Sequence, residues 1–230
     1  MSVNIDNTRN IEAIAYIRTD FEEKFGIPRQ SGVIKELKGY IEFEPKYRSE
    51  EAIRGLEGYN YLWIIWGFQV PESKVFNATV RPPRLGGNER VGVFATRSPY
   101  RPNRLGLSSV KIEEIISTDN GPIIAVSGID MRDHTPIYDI KPYLKYTDSH
   151  TDSRDGFAAN TDFKELNVIY DDTINVLPVD KQECLIKLLE QDPRPSYHDD
   201  SNKIYGVRFA GYNIRFRVCG NDLTIIDIEK

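Results

Sequence analysis

Between Arg81 and Arg104 the chain carries six arginines (81, 84, 90, 97, 101 and 104), no lysine and one acid, Glu89. That segment holds a net +5, so the rest of the chain sums to −10 to give the overall −5. A guanidinium is a planar fork that grips a carboxylate or phosphate through two parallel hydrogen bonds, which a lysine ammonium does not match. Gly86-Gly87 in the same stretch lets a ligand approach the backbone closely. The pattern predicts capture of an anion. The competing reading is that these arginines pair with surface acids and contribute little, but their clustering on a Pro/Gly-rich loop favours a ligand.

Other chemistries find little support. The two cysteines, Cys184 and Cys219, lack a C-x-x-C spacing, and His134, His150 and His198 are far apart, so neither a disulfide framework nor a metal site is expected. There is no G-x-G-x-x-G after a strand and no G-x-x-x-x-G-K-[ST], which removes the Rossmann and P-loop modes of phosphate binding. The N-terminus has no basic region followed by an apolar core. The most apolar stretch, 61–70, is too short to span a bilayer, so a cytoplasmic protein without membrane contact is expected. An acidic total argues on its face against nucleic acid, yet it averages over the basic loop.

The surrounding sequence is mainly β. Tyr40–Glu44 alternates as a half-buried strand, and Ser49–Gly55 reads as a short capped helix. Tyr61–Phe68 is a run of strand formers suited to the centre of a sheet. Val91–Ala95 is a short strand candidate inside the arginine loop. Ser109–Ile116 and Ile123–Ile129 are strands joined by the turn Asp119-Asn120-Gly121-Pro122. Strands at this density predict a β-barrel or sandwich over residues 1–146. Thr147–Asp162, rich in Asp, Ser, Thr and Asn, reads as a linker. Residues 163–230 then read as a small α+β domain. Its helix opens on a capping box, Asp180–Glu183, and buries Leu185, Leu188 and Leu189. Three strands follow near 204–209, 212–218 and 223–228. Period-two spacing places Arg215 and Arg217 on one strand face.

Specific motifs go further. Gly92-Val93-Phe94-Ala95-Thr96-Arg97-Ser98-Pro99, then Arg101-Pro102-Asn103 and Gly106-Leu107-Ser108, resemble the signature of the TrmO/TsaA-like family of tRNA adenosine N6-methyltransferases. Pro28-Arg29-Gln30, Arg81–Gly87, Asp139–Tyr143 and Asp192–Tyr197 match in the same order. Arg104-Leu105 depart from the Pro-Ile that often follows Arg-Pro-Asn in that family. The resemblance implies a homodimeric β-barrel enzyme that uses S-adenosylmethionine to methylate N6 of threonylcarbamoyl-adenosine at position 37 of a threonine-type tRNA. Carried over by position, the cofactor residues are Pro28, Arg29, Gln30, Phe68, Gln69, Arg97, Leu107, Asp130, Met131, Arg132 and Asp133. Arginines suit the cofactor's carboxylate, aspartates its ammonium and hydroxyls, and Phe68 or Leu107 its adenine.

The N6 proton must leave during transfer, and Asp139 or Tyr143 is the expected acceptor, with Lys141, Arg101 and Asn103 positioning the base. Asp139 and Lys141 read equally well as an ion pair that closes a turn. Arg194 and Tyr197 are expected to hold tRNA by phosphate contact and stacking, or else to form a rigid turn after the helix. Two other functions stay open from the residues alone: a non-catalytic module binding S-adenosylmethionine or a nucleotide, and a phosphate-binding scaffold.

Overall fold

Alternation of apolar with polar residues makes strands with one dry face, and the first half of the chain uses six of them to close a barrel. The computed structural model describes residues 9–71, 75–85, 89–160, 165–194 and 200–230. Its elements run β1 (Ala15–Thr19), β2 (Lys38–Phe43), α1 (Glu50–Ile53), β3 (Tyr61–Gly67), β4 (Thr79–Val80), β5 (Val91–Gly92), β6 (Leu105–Thr118), β7 (Gly121–Ser127) and β8 (Thr135–Pro142). They continue with α2 (Lys145–Asp148), β9 (Asn167–Ile169), α3 (Val179–Glu190), β10 (Ile204–Phe209), β11 (Tyr212–Cys219) and β12 (Asp222–Glu229).

The barrel order is β1-β2-β7-β6-β3-β8, antiparallel at every junction. Closure depends on β6. Its first half pairs with β3, from Leu105↔Gly67 to Lys111↔Tyr61, and from Lys111 on it pairs with β7, with an irregularity between Ile112 and Glu114. Bulges of this kind bend a strand and let one chain serve two sides of a barrel. Leu62, Ile64, Val110, Ile124, Val126 and Ile137 fill the interior, each at most 1% exposed. Every such side chain contributes roughly 1.5–3 kcal/mol by leaving water.

Beyond the barrel, β10-β11-β12-β9 form a four-stranded sheet, with β9 parallel to β12 and the rest antiparallel. Ala210 and Gly211 both take positive φ (53° and 80°) in the two-residue turn between β10 and β11, as a tight hairpin requires. Tyr205, Val207, Phe209, Ile214, Phe216, Val218, Leu223 and Ile225 point inward and share one continuous core with α3 and the barrel. The ring centroids of Phe21 and Phe209 lie 5.5 Å apart, between the barrel and this sheet.

Several expectations are corrected. Val91–Ala95 is not one strand: only Val91–Gly92 pairs, with Thr79–Val80, and Val93–Ala95 turns into a 3-10 segment. Asp180–Glu183 forms no capping box, because α3 begins earlier at Val179 after Pro178, and Glu183 instead reaches Lys187 one turn on at 2.9 Å. The Thr147–Asp162 stretch contains the end of α2 and a 3-10 segment at Gly156–Asn160, while Thr161 and Asp162 lie outside the described residues. Strand β8 has no counterpart in the sequence reading, since prolines at 136 and 142 break its strand signal.

Candidate active site

The closed barrel has one seam along which strand pairing is partial. Residues 105–110 of β6 are paired with β3 on one side, but β7 ends at Ser127 opposite Lys111 and leaves the other edge uncovered. The loop between β1 and β2 closes the gap. Ser109 N–H donates to Ser31 Oγ (3.2 Å), Gly32 N–H to Gly128 O (2.8 Å) and Gly128 N–H to Leu37 O (2.9 Å). Gly128 has φ +76°, and a Cβ there would sit 3.3 Å from the Gly32 backbone, so the two loops meet where only glycine fits easily.

Asp130 points into this seam at the end of a buried chain of donors. Trp66 Nε1 donates to Ser108 Oγ (2.9 Å), and Ser108 Oγ donates to Asp130 Oδ1 (2.6 Å). Burial pushes the Asp130 carboxyl up to about 6. The Ser108 hydroxyl, the backbone at Asp130 and Ser31, and the charge of Arg97 pull the other way. Arg97 is exposed and hydrogen-bonded to Gln30 Oε1, so its guanidinium is held at the mouth of the seam. A desolvated carboxylate beside a fixed arginine suits a ligand that carries a cation and an anion close together, such as an α-amino acid group.

Phe68 follows β3 and packs edge-on against Trp66, with centroids 4.3 Å apart, and its N–H donates to Arg104 O (2.9 Å). Arg104 has φ 49°, a conformation closed to the proline often found there in the family. Leu107 is 56% exposed on the outer barrel face, in one cross-strand row with Ile65 and Asp139.

The structure thus draws Gln30, Arg97 and Asp130 together, and sets Phe68 beside the Trp66 end of the same chain. Other predicted cofactor residues lie elsewhere. Met131 is a core side chain, 1% exposed. Arg132 is exposed, and its carbonyl accepts from Thr135 Oγ1 (2.7 Å). Asp133 caps Thr19 N–H (3.0 Å) and pairs with His134 Nδ1 (2.6 Å), in a cluster with Arg18. Gln69 Nε2 donates to His134 O (2.8 Å), on the same side as that cluster. Pro28 and Arg29 face α3.

Asp139, Lys141 and Tyr143 lie along β8 and just past its end. Asp139 and Lys141 form an exposed ion pair at 2.9 Å. The ring of Tyr143 packs against Trp63 and Tyr61, at centroid distances of 5.6 and 6.2 Å. Trp63 Nε1 is fixed by Asp148 Oδ2 at 2.7 Å. Successive outward rows on this face are roughly 6.5–7 Å apart. Asp139 shares the row of Leu107, Lys141 pairs with Trp63, and Tyr143 lies beyond, nearest Tyr61.

In the arginine loop, Arg90 donates to Thr79 Oγ1 (2.9 Å) and Arg101 to Thr96 O (3.1 Å), so these guanidiniums brace the loop through neutral acceptors and keep their charge. Asn103 is exposed at a turn of the same loop. Arg194, by contrast, is held by both carboxylate oxygens of Asp192 (2.8 and 2.9 Å), lies over the Tyr205 ring at 6.0 Å, and has a side chain only 11% exposed. It acts as a turn anchor. Arg194→Ala should therefore lower the melting temperature by roughly 2–6 °C, from a loss on the order of 1–2 kcal/mol, and leave the salt dependence of RNA binding unchanged; thermal melts and filter binding check both. Tyr197 lies outside the described residues.

Ser31, Ser108 and Trp66 are the site residues that sequence reasoning missed. The available signal is Ser108 itself, a polar residue at an inward position between Gly106 and Val110. Among the described residues no group of three or more His, Cys, Asp or Glu side chains is placed to hold a metal ion, and no helix is long and apolar enough to cross a membrane.

A six-stranded antiparallel barrel, with Asp130 in a seam that Arg97 of the basic loop borders, is an architecture without the parallel Rossmann sheet. Residues 16–149 match the model of the tRNA-methyltransferase O N-terminal domain, and residues 169–230 match that of the TrmO C-terminal domain. The chain belongs to the TrmO family of tRNA methyltransferases. It is 36% identical over 227 residues to the tRNA (adenine(37)-N6)-methyltransferase of Escherichia coli, covering 95% of this chain and 97% of that one. A Pseudomonas aeruginosa protein named for S-adenosylmethionine-dependent methyl transfer is 35% identical over 231 residues, covering 96% and 98%. A crystal structure of TrmO superposes with a TM-score of 0.76 at 30% identity, over 97% of this chain and all of the other.

Proposed function

We propose that this protein transfers the methyl group of S-adenosylmethionine to N6 of adenosine 37 in tRNA, acting on the threonylcarbamoyl-modified base of a threonine-type tRNA. The observation that carries this reading is the seam where Asp130, desolvated and oriented by Ser108, meets Arg97, held by Gln30. Bound there, S-adenosylmethionine supplies an electrophilic methyl on a sulfonium. Arg97 would hold the carboxylate of its amino acid end and Asp130 the ammonium, while Phe68 and Leu107 would offer apolar surface to adenine.

Methylation at N6 would release the N6 proton, which a side chain of this protein would accept. Alignment of nucleophile and methyl supplies much of the rate. Asp139 is the better placed acceptor, because it shares a row with Leu107, whereas Tyr143 is farther along the face. Lys141 pairs with Asp139 at 2.9 Å, and Arg101 and Asn103 position the base. Arg215 and Arg217, on the outer face of β11, add positive charge for the RNA backbone. Family resemblance supports a homodimer working in the cytoplasm.

Mass spectrometry of tRNA nucleosides from cells with and without the gene tests the reaction, with loss of N6-methylated threonylcarbamoyl-adenosine as the expected result. An unchanged nucleoside profile, together with no labelled methyl passed to threonine tRNA by the purified protein, would favour a non-catalytic binding module. Arg97→Ala should weaken cofactor binding by about tenfold to 100-fold in calorimetry, the worth of a charged hydrogen bond. Undiminished affinity would remove Arg97 from the site.

A further inference from the structure

The loop from Asp20 to Leu37, which joins β1 to β2 and carries Pro28-Arg29-Gln30, contains neither strand nor α-helix. On its barrel side the loop is tied at its two ends, where Phe21 O accepts from Asp133 N–H (2.8 Å) and Leu37 O from Gly128 N–H (2.9 Å), and at Ser31 and Gly32. The other side rests on the C-terminal unit, more than 140 residues away in sequence, through contacts spaced along its whole length.

At the start of the loop, Asp20 Oδ2 pairs with Lys181 Nζ at 2.5 Å, and Asp20 O accepts from Ala210 N–H at 3.0 Å. Farther on, Gly26 (φ +89°) lies so close to β10 that a Cβ would fall 2.3 Å from Val207 Cγ2. Pro28 and Arg29 face Leu188, Gln191, Asp192 and Pro193 across a cavity of about 50 Å³. At the far end, the Glu36 carboxylate pairs with Lys187, and Cys184 Sγ donates to Glu36 O at 3.6 Å. Lys181, Cys184, Lys187, Leu188 and Gln191 follow one another at steps of three, three, one and three. They form a single stripe of α3 that runs onto the residue after it.

We propose that this stripe of α3 is a splint for the cofactor loop, with Lys181 and Lys187 as positioning residues for methyl transfer. The proposal rests on the assignment of Gln30, which this loop carries, to the cofactor site. An irregular loop of this length loses conformational freedom at every residue that is fixed. Where folding has already fixed it, cofactor binding does not bear that cost. Where the splint is cut, the loop is competent only part of the time, and the apparent dissociation constant rises by the inverse of that fraction. Among the described residues the ion-pair partners of Lys181 and Lys187 are Asp20, Asp180, Glu36 and Glu183, so their influence on affinity passes through the loop.

The test uses the full chain carrying Lys181→Met and Lys187→Met, which keep the aliphatic stems and remove both ammonium groups. Titration calorimetry with S-adenosylmethionine should show the dissociation constant raised about fivefold to tenfold. Amide hydrogen exchange at residues 26–34 should become faster. In steady-state assays the KM for the cofactor should rise, while kcat at saturating cofactor and the KM for tRNA hold. Lysine-to-arginine replacement at both positions should restore affinity. Lys187→Met alone, on the more exposed of the two side chains, gives the same readouts if the double variant does not fold. A folded variant that binds cofactor within twofold of wild type overturns the splint. Wild-type protein that binds no cofactor at all overturns the assignment of the loop, and the splint with it.

Discussion

Asp130→Asn should lower affinity for S-adenosylmethionine on the order of 100-fold and at the same time raise the melting temperature of the free protein by a few degrees. The two effects have one cause. A carboxyl raised from its ordinary 3.8 to about 6 is held in a place that disfavours its charge. At neutral pH it is nonetheless ionised, and the folded state carries that cost, on the order of 2–3 kcal/mol before relaxation. Asparagine keeps an oxygen to accept from Ser108 and carries no charge, so the cost disappears along with the partner for an ammonium. Between about pH 4 and 6 the folded wild type binds more protons than the unfolded chain at this position, so its contribution to stability is present at low pH and lost as pH rises through that window. Cofactor affinity runs oppositely, because a cation favours the ionised form: it should climb as pH rises towards 6 and level off above. Melting curves and calorimetry from pH 5 to 8 on both proteins measure these trends. Equal affinity in the two proteins would show that Asp130 does not meet the ligand.

Gly106→Ala should cost roughly 2–3 kcal/mol of stability and weaken cofactor binding by about tenfold or more. A Cβ at this position would lie 2.3 Å from Trp66 Cε2 and 2.5 Å from Cζ2, which no side chain tolerates. The indole cannot yield freely. It is 7% exposed, is packed against Phe68 and donates to Ser108. Moving it breaks the chain that orients Asp130, so a methyl group added inside the barrel reaches the seam through hydrogen bonds. Ser108→Ala provides the contrast, because it adds no volume. It deprives Trp66 of an acceptor and removes the largest influence that lowers the Asp130 pKa, so the pH midpoint for cofactor binding should move up. Denaturant unfolding with parallel calorimetry separates steric from electrostatic loss. A stable Gly106→Ala protein with full affinity would refute the coupling.

The buried chain also explains why the site was only partly legible beforehand. Arg97 and Gln30 could be singled out by type and motif, but Asp130 and Asp133 are the same residue three positions apart, and only one of them meets Arg97. Three steps after β7 the chain crosses from the seam to the Arg18 cluster, and nothing in residue type records that crossing. Arg194 is a similar case. Its composition fits phosphate binding, yet Asp192, two residues earlier, takes its guanidinium in a bidentate pair.

Local pattern alone determined the mainly β character, the alternating strand β2 and the run of strand formers in β3, the amphipathic helix α3 and the concentration of positive charge between Arg81 and Arg104. Period-two burial and helical spacing are properties of neighbours along the chain, and they survive whatever the rest of the molecule does. Tertiary structure decided the proline-flanked strand β8 and the three-residue strand β9, both of which exist only because a partner edge is available to them. It also decided which aspartate faces the seam, and that a helix near the C-terminus braces a loop near the N-terminus. These outcomes depend on register and closure. Because β7 ends opposite Lys111 while β6 runs on to Leu105, an edge is left open, and the groups that fill it come from segments far apart in sequence.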